Sequence, residues 1–132
     1  MLRTSGSNIY LLSRNTGALK FYCTNGTVNL DTGDFTPDTA LGNWIIFIAN
    51  INFDNTSNAT LEVYVNSTTA NDSATGTKTA TPPSASYVNY TGDALYPNLD
   101  LAESIFYLTH LSTQNISDLM TYYGNKYNIS IS

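Results

Sequence analysis

Residues 44–53 read Trp44-Ile45-Ile46-Phe47-Ile48-Ala49-Asn50-Ile51-Asn52-Phe53. The stretch opens with an unbroken apolar run and then alternates. An apolar run marks a strand covered on both faces, and alternation marks one covered on a single face, because successive side chains point to opposite sides. The spacing therefore predicts a central strand of a β-sandwich over 44–53, with Asn50 and Asn52 on its solvated side. Asp54-Asn55-Thr56-Ser57-Asn58 is a polar turn. Beyond it, Thr60-Leu61-Glu62-Val63-Tyr64-Val65-Asn66 alternates cleanly, placing Leu61, Val63 and Val65 inward.

Upstream, the apolar runs are short and turn formers separate them, which is the pattern of antiparallel strands. Ile9 to Ser13 and Ala18 to Cys23 are joined by Asn15-Thr16-Gly17, with Leu19, Phe21 and Cys23 on one face. Asn25-Gly26 is a type I′ hairpin signal leading to Thr27-Val28-Asn29-Leu30, and the chain turns again at Asp31-Thr32-Gly33-Asp34. Downstream, residues 67–84 are almost wholly Ser, Thr, Asn, Ala, Gly and Pro and read as a long exposed loop. Strands are expected again at 87–90 and within 99–108, centred on Ile105-Phe106-Tyr107. One helix is expected from Thr113 to Tyr123. Ser112 is its N-cap, Ile116, Leu119, Met120 and Tyr123 form its buried stripe, and Gly124 is the residue that stops it. The tail, Tyr127-Asn128-Ile129-Ser130-Ile131, alternates as a last strand would.

Length and composition fit this plan. The 132 residues make one domain, and 42% apolar content is enough for one core. Only 11% of residues are charged, against about 25% in an average soluble domain. Polarity comes instead from 16 Asn and 32 Ser plus Thr, which suit turns and exposed strand faces. The net charge is −5, and the five cations are scattered, so no basic stripe exists to hold nucleic acid or an anionic membrane surface. No run of 18 apolar residues exists to span a bilayer. The single cysteine, Cys23, has no partner for an intrachain disulfide and reads as a small buried hydrophobe. Met1-Leu2-Arg3-Thr4-Ser5-Gly6-Ser7 lacks the apolar region of a secretory signal.

The order of these segments resembles the concanavalin A-like superfamily, and within it the laminin G-like jelly rolls. Gly42-Asn43-Trp44 is similar to that family's Gly-x-Trp strand start. Leu61-Glu62-Val63-Tyr64-Val65-Asn66 is similar to its Leu-Tyr-Val-Asn-Gly strand and turn, with Ser67 where the family has Gly. Glu103-Ser104-Ile105-Phe106-Tyr107, Leu111-Ser112, the helix and Tyr122-Tyr123-Gly124-Asn125-Lys126-Tyr127-Asn128-Ile129 are similar to its closing strand, helix and tail. The resemblance covers about residues 42–131. It implies an all-β, antiparallel jelly-roll sandwich with one short C-terminal helix, occupying 1–132 as a single domain. It also implies that strands preceding this chain's first residues are missing, leaving a sheet edge that another chain can complete by strand addition.

Enzymatic readings find no support in the residues. Related sandwiches that cut polysaccharides carry several carboxylates on one strand, aimed into one cleft. The two glutamates here, Glu62 and Glu103, lie in separate segments, and each reads as a surface residue. The lone His110 lies beside a helix cap and reads as structural. No cofactor is implied. Calcium is the metal the pattern allows, through Asp31, Asp34 and Asp54 in turn segments, where laminin G-like domains bind it near loop tips. Those three also read as ordinary turn formers. A glycan platform would use Tyr87, Tyr90 and Tyr96 from the loop-rich segment around 84–98. N-glycosylation sequons stand at Asn25, Asn55, Asn58, Asn66, Asn71, Asn89, Asn115 and Asn128. Two functions stay open: a structural module of a virion or cell surface, assembled with other chains, and a carbohydrate-binding or adhesion module of a larger secreted protein. Surface chemistry joined to a Met start without a signal fits a virion protein, made inside the cell and displayed outside it.

Overall fold

The computed structural model describes residues 2–4, 9–15, 18–24, 29–32, 43–52, 58–77, 88–90, 102–105, 107 and 109–132. Among these, the protein is mainly β with one α-helix. The strands are β1 (Leu2–Thr4), β2 (Ile9–Asn15), β3 (Ala18–Thr24), β4 (Asn29–Asp31), β5 (Phe47–Asn52), β6 (Asn58–Val65), β7 (Asp72–Thr77) and β8 (Val88–Tyr90), followed by α1 (Thr113–Tyr127). They form two three-stranded antiparallel sheets, β2-β3-β4 and β5-β6-β7, and the two-stranded pair β1-β8.

The sheet β5-β6-β7 is the centre of the described structure, and both of its faces are covered. On one face Ala59, Leu61, Val63 and Val65 of β6 meet Phe21 of β3 and Leu30 of β4, and Phe47, Ala49 and Ile51 of β5 pack on the same cluster. The Phe21 and Phe47 rings stand 5.6 Å apart. On the other face Tyr64 is buried against Ile116 and Met120 of α1, with Ile46, Ile48 and Leu111 around them. The parity of the strands accounts for this division. Odd residues of β5 and β6 face β3 and β4, and even residues face α1. The inward placement of Leu61, Val63 and Val65 expected from alternation is what the structure shows.

Side-chain caps finish the ladders. Thr32 Oγ accepts from the Phe21 N–H and donates to the Phe21 carbonyl, at 3.1 and 3.3 Å, prolonging the β3–β4 pairing by one residue. Asn66 adopts φ 48°, a left-handed conformation that Asn tolerates better than most residues. Its Oδ1 accepts from the Ile46 N–H at 2.8 Å, so the β5–β6 ladder continues past the strand end. Asn71 Oδ1 accepts from the Val65 N–H at 2.6 Å and closes the β6–β7 turn.

Five expectations about the elements need correction. First, Trp44, Ile45 and Ile46 lie outside the strand, and Trp44 is 54% exposed. Second, residues 72–77 form β7 rather than part of an exposed loop. Thr75 and Thr77 are their only β-formers, yet the segment pairs with β6 from Asn58↔Thr77 to Val63↔Asp72, and Ala74 joins the core. Third, the described part of 99–108 (102–105 and 107) is not a strand and is exposed. Fourth, α1 runs on to Tyr127, with Asn128 as its left-handed C-cap. Gly124 lies inside the helix because the tail folds back over it. A Cβ there would stand 2.6 Å from Ile131 Cγ1. Fifth, residues 129–132 do not form a strand. Their end hydrogen-bonds to the β6–β7 turn, through the Ser132 N–H to the Asn66 carbonyl and the Thr68 N–H to the Ser132 carbonyl, both at 2.9 Å.

The N-cap expectation is met in detail. Ser112 Oγ accepts from the Asn115 N–H, and Asn115 Oδ1 accepts from the Ser112 N–H, a reciprocal capping box. Among the described residues no helix is long and apolar enough to cross a membrane.

Candidate functional site

The helix carries two different faces. Ile116 and Met120 are fully buried on the sheet, whereas Leu119 and Tyr123, expected in the same buried stripe, are only half-buried. The last two turns present Tyr122, Tyr123, Lys126 and Tyr127 outward, next to Glu103 on the preceding segment. Tyr122 is 58% exposed, Tyr107 50% and Ile105 46%. Exposed and half-buried aromatic side chains grouped at one end of a helix, as Tyr122, Tyr123 and Tyr127 are, are what contact surfaces are made of.

Glu103 organises the cluster. Its Oε2 accepts from Lys126 Nζ at 2.6 Å and from the Tyr127 hydroxyl at 2.8 Å, and its Oε1 accepts from the Tyr123 hydroxyl at 3.4 Å. Lys126 Nζ also lies 5.2, 5.6 and 5.9 Å from the ring centroids of Tyr127, Tyr123 and Tyr122, within cation–π range. Tyr122 meets Tyr123 edge to face at 4.9 Å, and Tyr123 stacks on Tyr127 at 6.2 Å. The hydrogen bond to Lys126 holds the Glu103 carboxyl below its usual range, and the same bond raises the Lys126 ammonium. Burial, followed by the Glu103 charge, raises the Tyr123 hydroxyl. An exposed ion pair adds little net stability. What the cluster does instead is hold several rings in fixed positions relative to one another.

A second polar group lies beneath α1. Asn50 of β5 is 4% exposed, where alternation predicts a solvated residue. Its Nδ2 faces His110 Nε2 at 2.9 Å, the Leu111 carbonyl at 3.1 Å and Glu62 Oε2 at 3.4 Å. Glu62, expected at the surface, is half-buried and also accepts from the Tyr64 hydroxyl at 2.9 Å. Burial, helped by that carboxylate, pushes the Tyr64 hydroxyl up to about 12.

Only some of the residues singled out from sequence lie among the described residues. Tyr90 lies in β8, opposite Leu2, while Tyr87 and Tyr96 lie outside the described residues. Asp31 ends β4 and is exposed; Asp34 and Asp54 lie outside the described residues. Among the described residues no three of His, Cys, Asp and Glu are grouped so as to hold a metal ion. Of the sequon asparagines, Asn25 and Asn55 lie outside the described residues. Asn58 is exposed at the start of β6, and Asn89 lies in β8. The Asn66, Asn71 and Asn115 side chains accept backbone hydrogen bonds, and Asn128 is the helix cap. Asn25-Gly26 and Pro82-Pro83 also lie outside the described residues, and β3 runs through Cys23.

Comparison of the chain with protein-family models, with curated proteins and with solved structures returns no match.

Proposed function

We propose that this chain is a non-enzymatic structural and assembly module displayed on a virion or cell surface, and that it meets another protein chain through the tyrosine face of α1. The observation that carries the proposal is the cluster of the exposed Tyr107, Tyr122 and Tyr127 with Tyr123 around the Glu103–Lys126 pair. Aromatic residues of this kind are enriched at protein interfaces. In this reading the fold is a concanavalin A-like jelly-roll sandwich of the laminin G-like type, which fits the two covered faces of β5-β6-β7. Strand addition at a sheet edge is the second route to assembly. Both glutamates are engaged in holding structure, Glu62 with Tyr64 and Glu103 with Lys126, which supports a role without catalysis.

One observation favours carbohydrate as the alternative partner. A carboxylate set among tyrosine rings offers a sugar both a hydrogen-bond acceptor and a stacking surface. Sedimentation velocity of the chain over a wide concentration range tests the first reading. The expected result is association that Tyr107→Ser with Tyr122→Ser abolishes while the fold persists. A monomer at every concentration, joined to specific retention on a glycan array, would replace assembly with sugar recognition.

A further inference from the structure

Asn50 pairs with both backbone groups of Leu111. Its Oδ1 accepts from the Leu111 N–H at 3.0 Å, and its Nδ2 donates to the Leu111 carbonyl at 3.1 Å. This two-point pairing decides which end of the amide is nitrogen, since a flipped amide would set donor against donor and acceptor against acceptor. Nδ2 is therefore the atom that faces His110 Nε2 at 2.9 Å. Its N–H needs a lone pair on Nε2, and a neutral imidazole supplies one only with its proton on Nδ1. We propose that His110 is a proton-sensitive latch on the lead-in to α1: neutral, it accepts from Asn50 and holds residues 110–111 on the sheet; protonated, it sets an N–H against an N–H and releases them.

Among the described residues, the groups around the latch are few. From β6 come the Glu62 carboxylate and, bonded to it, the Tyr64 hydroxyl. From β5 comes the neutral Asn50, and α1 packs the uncharged Ile116 and Met120 on the same side of the sheet. Nδ2 has two hydrogens for three acceptors, and Glu62 at 3.4 Å is the farthest of them. A protonated His110 is drawn toward the Glu62 carboxylate, which replaces the Asn50 contact rather than preserving it. The tautomer and the latch concern the packing of α1 alone and hold whatever the tyrosine face binds.

His110 is the chain's single histidine, so its titration is read without overlap. Long-range proton–nitrogen NMR of the full chain, well above the ordinary histidine range, is expected to show Nδ1 protonated and Nε2 bare. Once acid has protonated the imidazole, followed in the same spectra, protection of the Leu111 amide, corrected for intrinsic exchange, should drop by about three- to tenfold, the loss of one hydrogen bond. In His110→Gln, which does not titrate, protection should stay flat. A proton on Nε2 at high pH overturns the proposal, and so does the same protection profile in both proteins. Should His110→Gln not fold, the wild type decides alone: a flat Leu111 profile overturns it.

Discussion

The two faces of β5-β6-β7 are covered by different means. Toward β3 and β4 the packed side chains of the described cluster are apolar, with Leu61, Val63 and Leu30 all fully buried. Toward α1 the apolar contacts of Tyr64, Ile116 and Met120 are joined by a polar group, Asn50 with Glu62, His110 and Leu111. The apolar face gains stability from burial and shape. The helix face adds direction, because a buried amide tolerates only the partner that satisfies it.

Substitutions on the two faces break this comparison in different ways. The largest effect belongs to Leu61→Ala on the apolar face. It should cost about 2–5 kcal/mol in denaturant unfolding, as cavities in packed cores do. Asn50→Leu on the helix face should cost about 1–3 kcal/mol, because the Leu111 N–H and carbonyl lose their partner. Its signature is selective: loss of helical circular dichroism before loss of strand signal. If Asn50→Leu is neutral, the polar group does not hold α1.

The difference between the faces also explains what the sequence disclosed. Alternation in Leu61-Glu62-Val63-Tyr64-Val65 gave the apolar face directly, and Ser112 gave the start of α1. Asn50 was illegible, because a polar residue in an alternating strand looks solvated until the element that covers it is known. β7 was illegible because Asp72-Ser73-Ala74-Thr75-Gly76-Thr77 has turn-like composition and owes its strand to pairing with β6. The end of α1 was misplaced because nothing local reveals that Ile131 returns over Gly124. That error hid the tyrosine face. Tyr122, Tyr123, Lys126 and Tyr127 share one helix only once the helix continues past Gly124. The spacing of Tyr123 and Tyr127, four residues apart, was the available signal.

Gly124→Ala should cost about 1–3 kcal/mol by driving a methyl group into Ile131, measured as a lowered midpoint of thermal unfolding. Ser112→Ala removes the capping box and should cost about 1 kcal/mol, with fraying confined to the first turn of α1 in hydrogen exchange. The smallest effect is that of pH on the exposed clasp. Glu103 is held below its ordinary value, so its contribution is present above the ordinary carboxylate range and is lost as pH falls through the lowered value. The matching rise of Lys126 is lost only at strongly alkaline pH. Acid should therefore free Tyr127 from Glu103, seen as a change in tyrosine fluorescence that Glu103→Gln removes.

The division between the two faces depends on α1 lying against the even face of β6. Nuclear Overhauser contacts between the Tyr64 ring and the Ile116 and Met120 side chains measure this directly. The expected spectrum shows both, together with contacts from Leu61 to Phe21 and Leu30 on the opposite face. Contacts on the Leu61 side alone, with none from Tyr64 to the helix, would contradict it.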